Sequence, residues 1–386
     1  MLNHAAELVR AHAAEIICAN DQDLQESEKK GLDLLRKRIL TISAQDVEAM
    51  AAFLERMGSH DDAVNRVCES YSEPNGLRRE QRLVPLGVIA MVYEARPSVV
   101  CDSVGLCLRT ANALLLRCSP FSVNTDTAIT ALVRQALAAE GLPEDCVQLV
   151  PDEGYEITYW LSRAEREVAL MILRGGYNAI ADVRRNATVP ILVAGPGNCH
   201  VYIDESASYQ MALDITRNSK VPRPLACNAA ETLLVHERWA SQHLGNLLAQ
   251  LSGDGIELRG CSTAQQYSLT MKPATQSDWE TEFFAPVLAV RIVDNTLEAI
   301  DHINMYRTPH TECIITENRS NAEMFMERVE GNVVCMNAAT RLTDGVQFGF
   351  GGEMGISTQI LPCGGPIGPL QLLRRKFFLY GDGHLR

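Results

Sequence analysis

The chain has 386 residues, a hydrophobic content of 46% and a formal net charge of −13, with no long basic run. That is enough apolar material for about two or three domains, and the acidic balance sets aside nucleic acid and anionic membrane as partners. The 12 cysteines are spread singly, without a Cys-x-x-Cys pair or a Cys/His spacing that suits zinc, so no metal is expected. Such unpaired thiols, with no signal peptide at Met1-Leu2-Asn3, point to a reducing cytoplasm, and no apolar run approaches the ~20 residues of a membrane span.

Residues 2–20 carry Leu2, Ala5, Leu8, Val9, Ala13, Ile16 and Ile17 at helical spacing, and a second helical stretch covers about 26–57. From Val88 the pattern becomes strand, helix, strand: a continuous apolar run over 88–93, as a strand buried on both faces requires, then helix 98–109, strand 113–116, helix 121–139, strand 146–150, helix 154–164 and strand 168–173. A looser repetition follows, with helix 207–218, strand 232–235, helix 237–252, strand 287–293, helix 296–305, strand 312–316, helix 319–329 and strand 332–336. Alternation of this kind argues for βαβ units, parallel sheets and two α/β lobes, with a boundary near 205. The stretch 345–368 is glycine-rich and reads as loop, and 376–380 reads as a closing edge strand of the sort that pairs with another subunit.

The segment with most chemical content is Asn218-Ser-Lys-Val-Pro-Arg-Pro-Leu-Ala-Cys227-Asn228. Pro222 and Pro224 restrict the backbone and leave Cys227 at the end of a stiff turn, as a held nucleophile needs. Asn228 and the amides after it are candidates for hydrogen bonds to an oxyanion beside the sulfur. The competing reading is a buried cysteine serving as a small hydrophobe. Leu173-Arg174-Gly175-Gly176 ends a strand, where open parallel sheets bind ligands and glycines admit a phosphate or nicotinamide close to the backbone, although two glycines are also simply a turn. Gly195-Pro-Gly197-Asn-Cys199-His200 joins two short strands. It is either a tight connection or a place where small residues flank the thiol, and Cys199 and His200, as strand neighbours, face opposite ways and cannot act as a dyad. Glu282, before Phe283-Phe284-Ala285-Pro286, is able to accept two hydroxyl bonds from a ribose, or is an ordinary solvated carboxylate. Met336-Asn337-Ala-Ala-Thr340-Arg341-Leu-Thr343 follows a strand at the face where such folds place function, with Arg341 suited to a carboxylate or phosphate; loop solvation explains it equally.

Taken in order, Val84-Pro-Leu-Gly-Val-Ile89, Tyr93-Glu-Ala-Arg96-Pro97, Arg174-Gly-Gly176, Gly197-Asn-Cys-His-Val-Tyr202, Arg223-Pro-Leu-Ala-Cys227-Asn-Ala, Asn337-Ala-Ala-Thr-Arg341, Thr343-Asp-Gly345, Phe348-Gly-Phe-Gly351 and Gly355-Ile-Ser-Thr-Gln359 resemble the γ-glutamyl phosphate reductase family of the aldehyde dehydrogenase superfamily, from about residue 14 to the C-terminus. The resemblance implies an α/β fold with a Rossmann-like parallel-sheet cofactor domain over 1–205 (strands near 76–84 belonging to a small oligomerisation element), an α/β catalytic domain over 206–350, and a tail, 351–386, that returns to the cofactor domain and the oligomerisation strand. It implies a cytoplasmic, homo-oligomeric enzyme, dimer or tetramer, that uses NADPH to reduce the acyl phosphate γ-glutamyl 5-phosphate in proline biosynthesis. A glutamate 5-kinase that makes this labile compound is then a candidate partner.

Carried onto this chain, the resemblance makes Cys227 the nucleophile with Asn228 beside it. Arg117, Ser119, Arg174, Gly175, Gly176, Gly195 and Glu282 become cofactor residues, and Arg96, Asn337, Arg341 and Thr343 substrate residues. A helix N-terminus, Lys220 or Arg223 is expected to acidify the thiol. Hydrolytic relatives are similar to one another in a water-activating glutamate that is here replaced by the run Val193-Ala194-Gly195. The chain departs from the family pattern at Arg117-Cys-Ser-Pro120, usually Arg-Gly-Gly, at Arg109-Thr-Ala-Asn112 and at Pro362-Cys-Gly-Gly-Pro366, and it begins late, so a first helix typical of the family is expected to be missing. The first two departures touch the expected adenosine and 2′-phosphate surface. Two alternatives stand beside this reading: a hydrolytic or CoA-linked aldehyde dehydrogenase, and a weakly active or non-catalytic homologue.

Overall fold

Local signals at the N-terminus break the expected long helices into four. A computed structural model describes residues 1–150, 154–175 and 177–386. In it the first stretch forms α1 (Leu2–Ala11) and α2 (Ala13–Lys29), and the second forms α3 (Leu34–Leu40) and α4 (Ala44–Ser59). Gly31 adopts φ +71°, a conformation costly for any residue with a Cβ, and so ends the helix that 26–57 was expected to continue. Asp33 then caps α3 by accepting from Arg36 N, and Ser43 with Asp46 forms a capping box on α4.

The chain falls into two units: Met1–Gly195 with Phe348–Gly355 and Pro366–Arg386, and Pro196–Gln347 with Ile356–Gly365. The first continues with β1 (Val67–Ser72), β2 (Arg78–Pro85), β3 (Val88–Tyr93), α5 (Ser98–Arg109), β4 (Ala113–Arg117), α6 (Val123–Ala139), β5 (Val147–Leu149), α7 (Tyr155–Leu161), β6 (Leu170–Arg174), α8 (Tyr177–Asn186) and β7 (Ile191–Ala194). Five of these strands form a parallel sheet in the order β5-β4-β3-β6-β7. Strand order reverses between β3 and β6, which makes the carboxyl ends of those two strands the switch point where α/β sheets bind ligands. Ile89, Met91, Leu114 and Leu116 are fully buried, as expected of strands covered on both faces. Asn112 fixes the start of β4: its Oδ1 accepts from Gly87 N at 2.8 Å and its Nδ2 donates to Leu372 O at 2.9 Å.

The second unit begins with β8 (Cys199–Ile203), which places the division at Gly195/Pro196 and not near 205. It runs on through α9 (Tyr209–Lys220), β9 (Ala230–His236), α10 (Glu237–Gly253), β10 (Glu257–Gly260), β11 (Lys272–Pro273), β12 (Val287–Val293), α11 (Thr296–Tyr306), β13 (Thr311–Ile315), α12 (Arg319–Arg328) and β14 (Val333–Met336). Its seven strands are parallel, in the order β11-β10-β12-β9-β8-β13-β14. Every residue of the central β8 and β9 is buried. At about 1.5–3 kcal/mol per fully buried aliphatic side chain, those two strands anchor the lobe. In the glycine-rich stretch only the two-residue strands β15 (Ile356–Ser357) and β16 (Gly365–Pro366) form, and they pair with each other. The final strand β17 (Leu373–Tyr380) joins β1 and β2 in an antiparallel sheet, β1-β2-β17, within the first unit. Strands β10 and β11 were not expected; at four and two residues they are too short to carry a period. Among the described residues no helix is long and apolar enough to cross a membrane.

Candidate functional site

The thiol loop starts where α9 ends. Val221 still donates to Arg217 O, at 2.8 Å, and then Pro222, which has no N–H, stops the helix. Two turns follow, closed by Ala226 N to Arg223 O at 3.1 Å and Ala229 N to Ala226 O at 2.9 Å, and Cys227 stands half-buried between them before β9. Its carbonyl is packed from behind. A Cβ on Gly197 would lie 1.7 Å from Cys227 O, so only glycine fits there, and Cys199 Sγ donates to the same oxygen at 3.3 Å. Cys199 contacts His310 Nδ1 at 3.4 Å, whereas His200 contacts Glu312, so the two strand neighbours do face apart.

Asn228 is 3% exposed and holds the loop at both ends of its amide. Its Nδ2 donates to Thr343 O at 2.8 Å, its Oδ1 accepts from Arg341 Nη1, and its main-chain oxygen accepts from Thr340 Oγ1 at 2.7 Å. Thr340 N in turn donates to Ser219 Oγ at 3.1 Å, tying in the end of α9. The segment expected to bind substrate therefore clamps the thiol loop, and the job expected of the Asn228 side chain, bonding an oxyanion, gives way to fixing the neighbour of Cys227. Thr343 is fully buried, accepts from Thr311 Oγ1 at 2.9 Å, and so is a structural contact and not a substrate one. Asn337 is turned elsewhere. It sits at φ +53°, with Oδ1 accepting from Thr316 N and Nδ2 donating to Thr316 O, both at 2.9 Å, as a side-chain extension of the β13–β14 pairing. Of the four expected substrate residues, Arg341 remains beside the loop, while Arg96 belongs to the first unit.

Of the three expected sources of acidity, the helix N-terminus is absent and Lys220 is already paired. The residue after the loop opens a strand, not a helix, and Arg223 is exposed. Lys220 is fully buried and paired with Glu231 at 2.6 Å. Burial pushes the Lys220 ammonium down and the Glu231 carboxyl up to about 8, each opposed by the other's charge. Burial likewise raises the Cys199 thiol well above its ordinary value and lowers His310 to about 3. Both are held neutral behind the loop.

In the first unit a cavity of about 240 Å³ opens beyond the carboxyl ends of β3, β4 and β6, at the switch point. Arg117, Ser119, Arg174 and Gly175, four of the expected cofactor residues, line it together with Glu94, Phe121, Ile180 and Val183. Arg36, Arg117 and Arg174 line it with Glu94, cations enough to suit an anion, and most of the remaining wall is apolar. A Cβ on Gly175 would lie 3.2 Å from Glu94 Cδ, so the glycine keeps that corner open. These features fit a dinucleotide: apolar slabs for a base, cations for phosphates and a bare backbone for close approach. Arg174 and Arg96 also counter Asp102, whose carboxyl is raised by burial to about 6. Gly176 lies outside the described residues. Gly195 is buried at the end of the first unit and Glu282 is half-buried in the second, and neither lines this cavity. Glu282 instead lies within electrostatic reach of Lys220 and Glu231. Sequence reasoning missed Arg36, Phe121 and His310. They sit in segments with no motif, and only tertiary packing brings them to the two sites. Among the described residues no group of three or more His, Cys, Asp or Glu is placed to hold a metal ion.

The chain matches the aldehyde dehydrogenase family over residues 3–254 and 269–355. It is 40% identical to the γ-glutamyl phosphate reductase of Thermoanaerobacter pseudethanolicus over 385 residues, covering all of this chain and 93% of the relative. It is also 40% identical to that of Geobacillus thermodenitrificans, covering 92% of it. The crystal structure of γ-glutamyl phosphate reductase from Thermotoga maritima superposes with a TM-score of 0.94 at 38% identity, covering 100% of this chain and 93% of that one.

Proposed function

Because the chain belongs to the aldehyde dehydrogenase family, and within it to the γ-glutamyl phosphate reductases, we propose that it reduces γ-glutamyl 5-phosphate to glutamate 5-semialdehyde with release of phosphate, a step of proline biosynthesis. The observation that carries the reading is the half-buried Cys227, set in a loop whose carbonyl is packed on Gly197 and whose next residue is bonded at both ends of its side chain. A side chain held this way meets the positional demand on a nucleophile.

In this mechanism the Cys227 thiolate attacks the acyl carbon. The C–S bond forms, the bond from that carbon to the phosphate oxygen breaks, and phosphate leaves with the electron pair, giving a thioester. When bound, NADPH supplies the hydride that reduces the thioester to the aldehyde. Arg117, Ser119, Arg174 and Gly175, which line the cavity of the first unit, would hold the dinucleotide. Arg341, bonded to Asn228 beside the thiol, is the cation for the substrate's carboxylate or phosphate. The run Val193-Ala194-Gly195 is buried and aliphatic, and offers no base to activate water against the thioester. The released γ-aldehyde carries its own amine and closes to pyrroline-5-carboxylate unaided. In the antiparallel sheet, Tyr71, Phe377 and Leu379 are 52%, 58% and 64% exposed, which suits an oligomerisation element of a homo-oligomer. The cytoplasm, with a glutamate 5-kinase as supplier, completes the reading.

The test is the reverse reaction: phosphate-dependent reduction of NADP⁺ with glutamate 5-semialdehyde. Cys227→Ala is expected to lower it by at least ~10³-fold while the protein stays folded. Retained activity in that variant removes Cys227 from the mechanism, and free acid or acyl-CoA formed without phosphate favours a hydrolytic or CoA-linked enzyme.

A further inference from the structure

The cavity of the first unit has a wall that the parallel sheet does not supply. Arg36, from α3, lines it beside Ser119 and Phe121. The N-cap bond from Arg36 N to Asp33 Oδ1, 2.9 Å, fixes where Arg36 leaves the helix. Its guanidinium is 55% exposed and lies 3.6 Å from the equally exposed Asp33 carboxylate, a pairing weak enough to yield to a better anion. From the end of α2, Lys30 Nζ lies 5.9 Å from the Phe121 ring centroid. The α2–α3 corner thus brings two cations to the loop that follows β4.

That loop is where a 2′-phosphate would be read. In doubly wound sheets the residues after the second strand meet the adenosine ribose: a carboxylate there accepts the free 2′-hydroxyl, and an arginine accommodates a 2′-phosphate. Helix N-termini usually provide the amides for such an anion, but here most are taken. Pro120 has no N–H, Phe121 N donates to Ser119 Oγ at 3.3 Å, and Ser122 N donates to Ser119 O at 3.1 Å. The first turn of α6 is filled by a carboxylate already present, since the buried Asp23 of α2 accepts from Asn124 N at 3.0 Å and Thr125 N at 2.8 Å. An anion seated here is held chiefly by side chains. Arg117 is only 9% exposed, so the cation open to the cavity mouth from outside the sheet is Arg36.

We infer that Arg36 is the residue that selects a 2′-phosphorylated dinucleotide, gripping the 2′-phosphate from the helical arm, with Lys30 adding charge at the rim. The inference rests on the reading of this cavity as the NADPH site. Its test is calorimetric binding to the full chain of adenosine 2′,5′-bisphosphate against 5′-AMP, and of NADPH against NADH. The wild type should prefer the 2′-phosphorylated member of each pair. Arg36→Ala should weaken that member roughly tenfold and leave its partner within about twofold, and Arg36→Lys should restore part of the loss. Equal weakening of both members, or an unchanged preference in Arg36→Ala, overturns the inference and leaves the NADPH reading standing. Absence of any preference in the wild type overturns both. The substituted side chain is solvent-exposed, and an unchanged thermal midpoint verifies that the fold survives.

Discussion

The sharpest perturbation of the thiol loop is one methyl group at Gly197. The Cβ of Gly197→Ala would lie 1.7 Å from Cys227 O, 2.7 Å from its carbonyl carbon and 3.0 Å from His310 Cδ2. Both crowding partners at Cys227 are backbone atoms, so no rotamer change relieves the overlap. Raising 1.7 Å to the 3.0 Å that real Cβ contacts reach moves the Cys227 carbonyl by roughly 1.3 Å and breaks its bond from Cys199 Sγ. Overpacking of this size costs about 1–3 kcal/mol of stability. Displacing a nucleophile by about 1 Å costs on the order of 10²-fold in rate. The assay pairs kcat of the phosphate-dependent reverse reaction with urea unfolding and the rate of thiol alkylation. Gly253→Ala, in α10 with nothing within 4 Å of the added Cβ, serves as the control: kcat and alkylation should be unchanged and urea stability should rise by no more than about 1 kcal/mol. If Gly197→Ala folds and keeps kcat within about threefold of wild type, the tight backing of Cys227 is irrelevant to catalysis and the argument fails.

Asn337→Ala removes a side chain that pairs with both the N–H and the C=O of Thr316, at a position with φ +53°. It should cost about 2–3 kcal/mol in urea unfolding and leave substrate KM unchanged in the folded enzyme; a rise in KM without loss of stability would return Asn337 to the substrate site. Asp126 is buried, accepts from Tyr93 Oη at 2.9 Å and Ser122 Oγ at 2.8 Å, and is raised by desolvation from 3.8 to about 7. A carboxyl with a raised folded-state pKa contributes stability at low pH and loses it as pH rises through that window. The stability of wild type relative to Asp126→Asn should therefore fall by about 1.4 kcal/mol per pH unit between about 4 and 7 and then level off, and a flat difference would refute the assignment.

Most of the architecture was legible because buried parallel strands announce themselves: the apolar run that became β3 lies where expected, as do β12 and α5. The helical arm was less legible. Its breaks depend on Gly31 and on two caps, Asp33 and Ser43, that a purely apolar count passes over. At the site, the proline-stiffened loop does stand half-buried ahead of β9 with Cys227 in it, and the strand-end arginine and glycine led to the cavity. Residue types alone could not say which polar groups face a ligand and which face the chain. Asn228, Thr343 and Asn337 have the chemistry to bind a substrate, yet each spends it on a backbone or side-chain partner contributed by a segment up to 115 residues away. Such saturation is decided by tertiary packing, and Arg36 is the converse case, a cation in an unremarked helix that packing brings to a ligand wall.

The charges around the thiol loop bear on which electrophile it suits. Lys220 is matched by Glu231, and His200 faces Glu312; burial raises that carboxyl well above its ordinary range and lowers His200 to about 3. Those buried pairs add no net charge at the loop, so the electrostatic help a thiol needs toward poor electrophiles falls to Arg341, bonded to Asn228, and to the exposed Arg223. An acyl phosphate makes a smaller demand. Its carbonyl is already activated, and its leaving group departs as an anion that an arginine such as Arg341 can receive. A loop that fixes its sulfur firmly and sets an arginine beside it is matched to an activated substrate with an anionic leaving group.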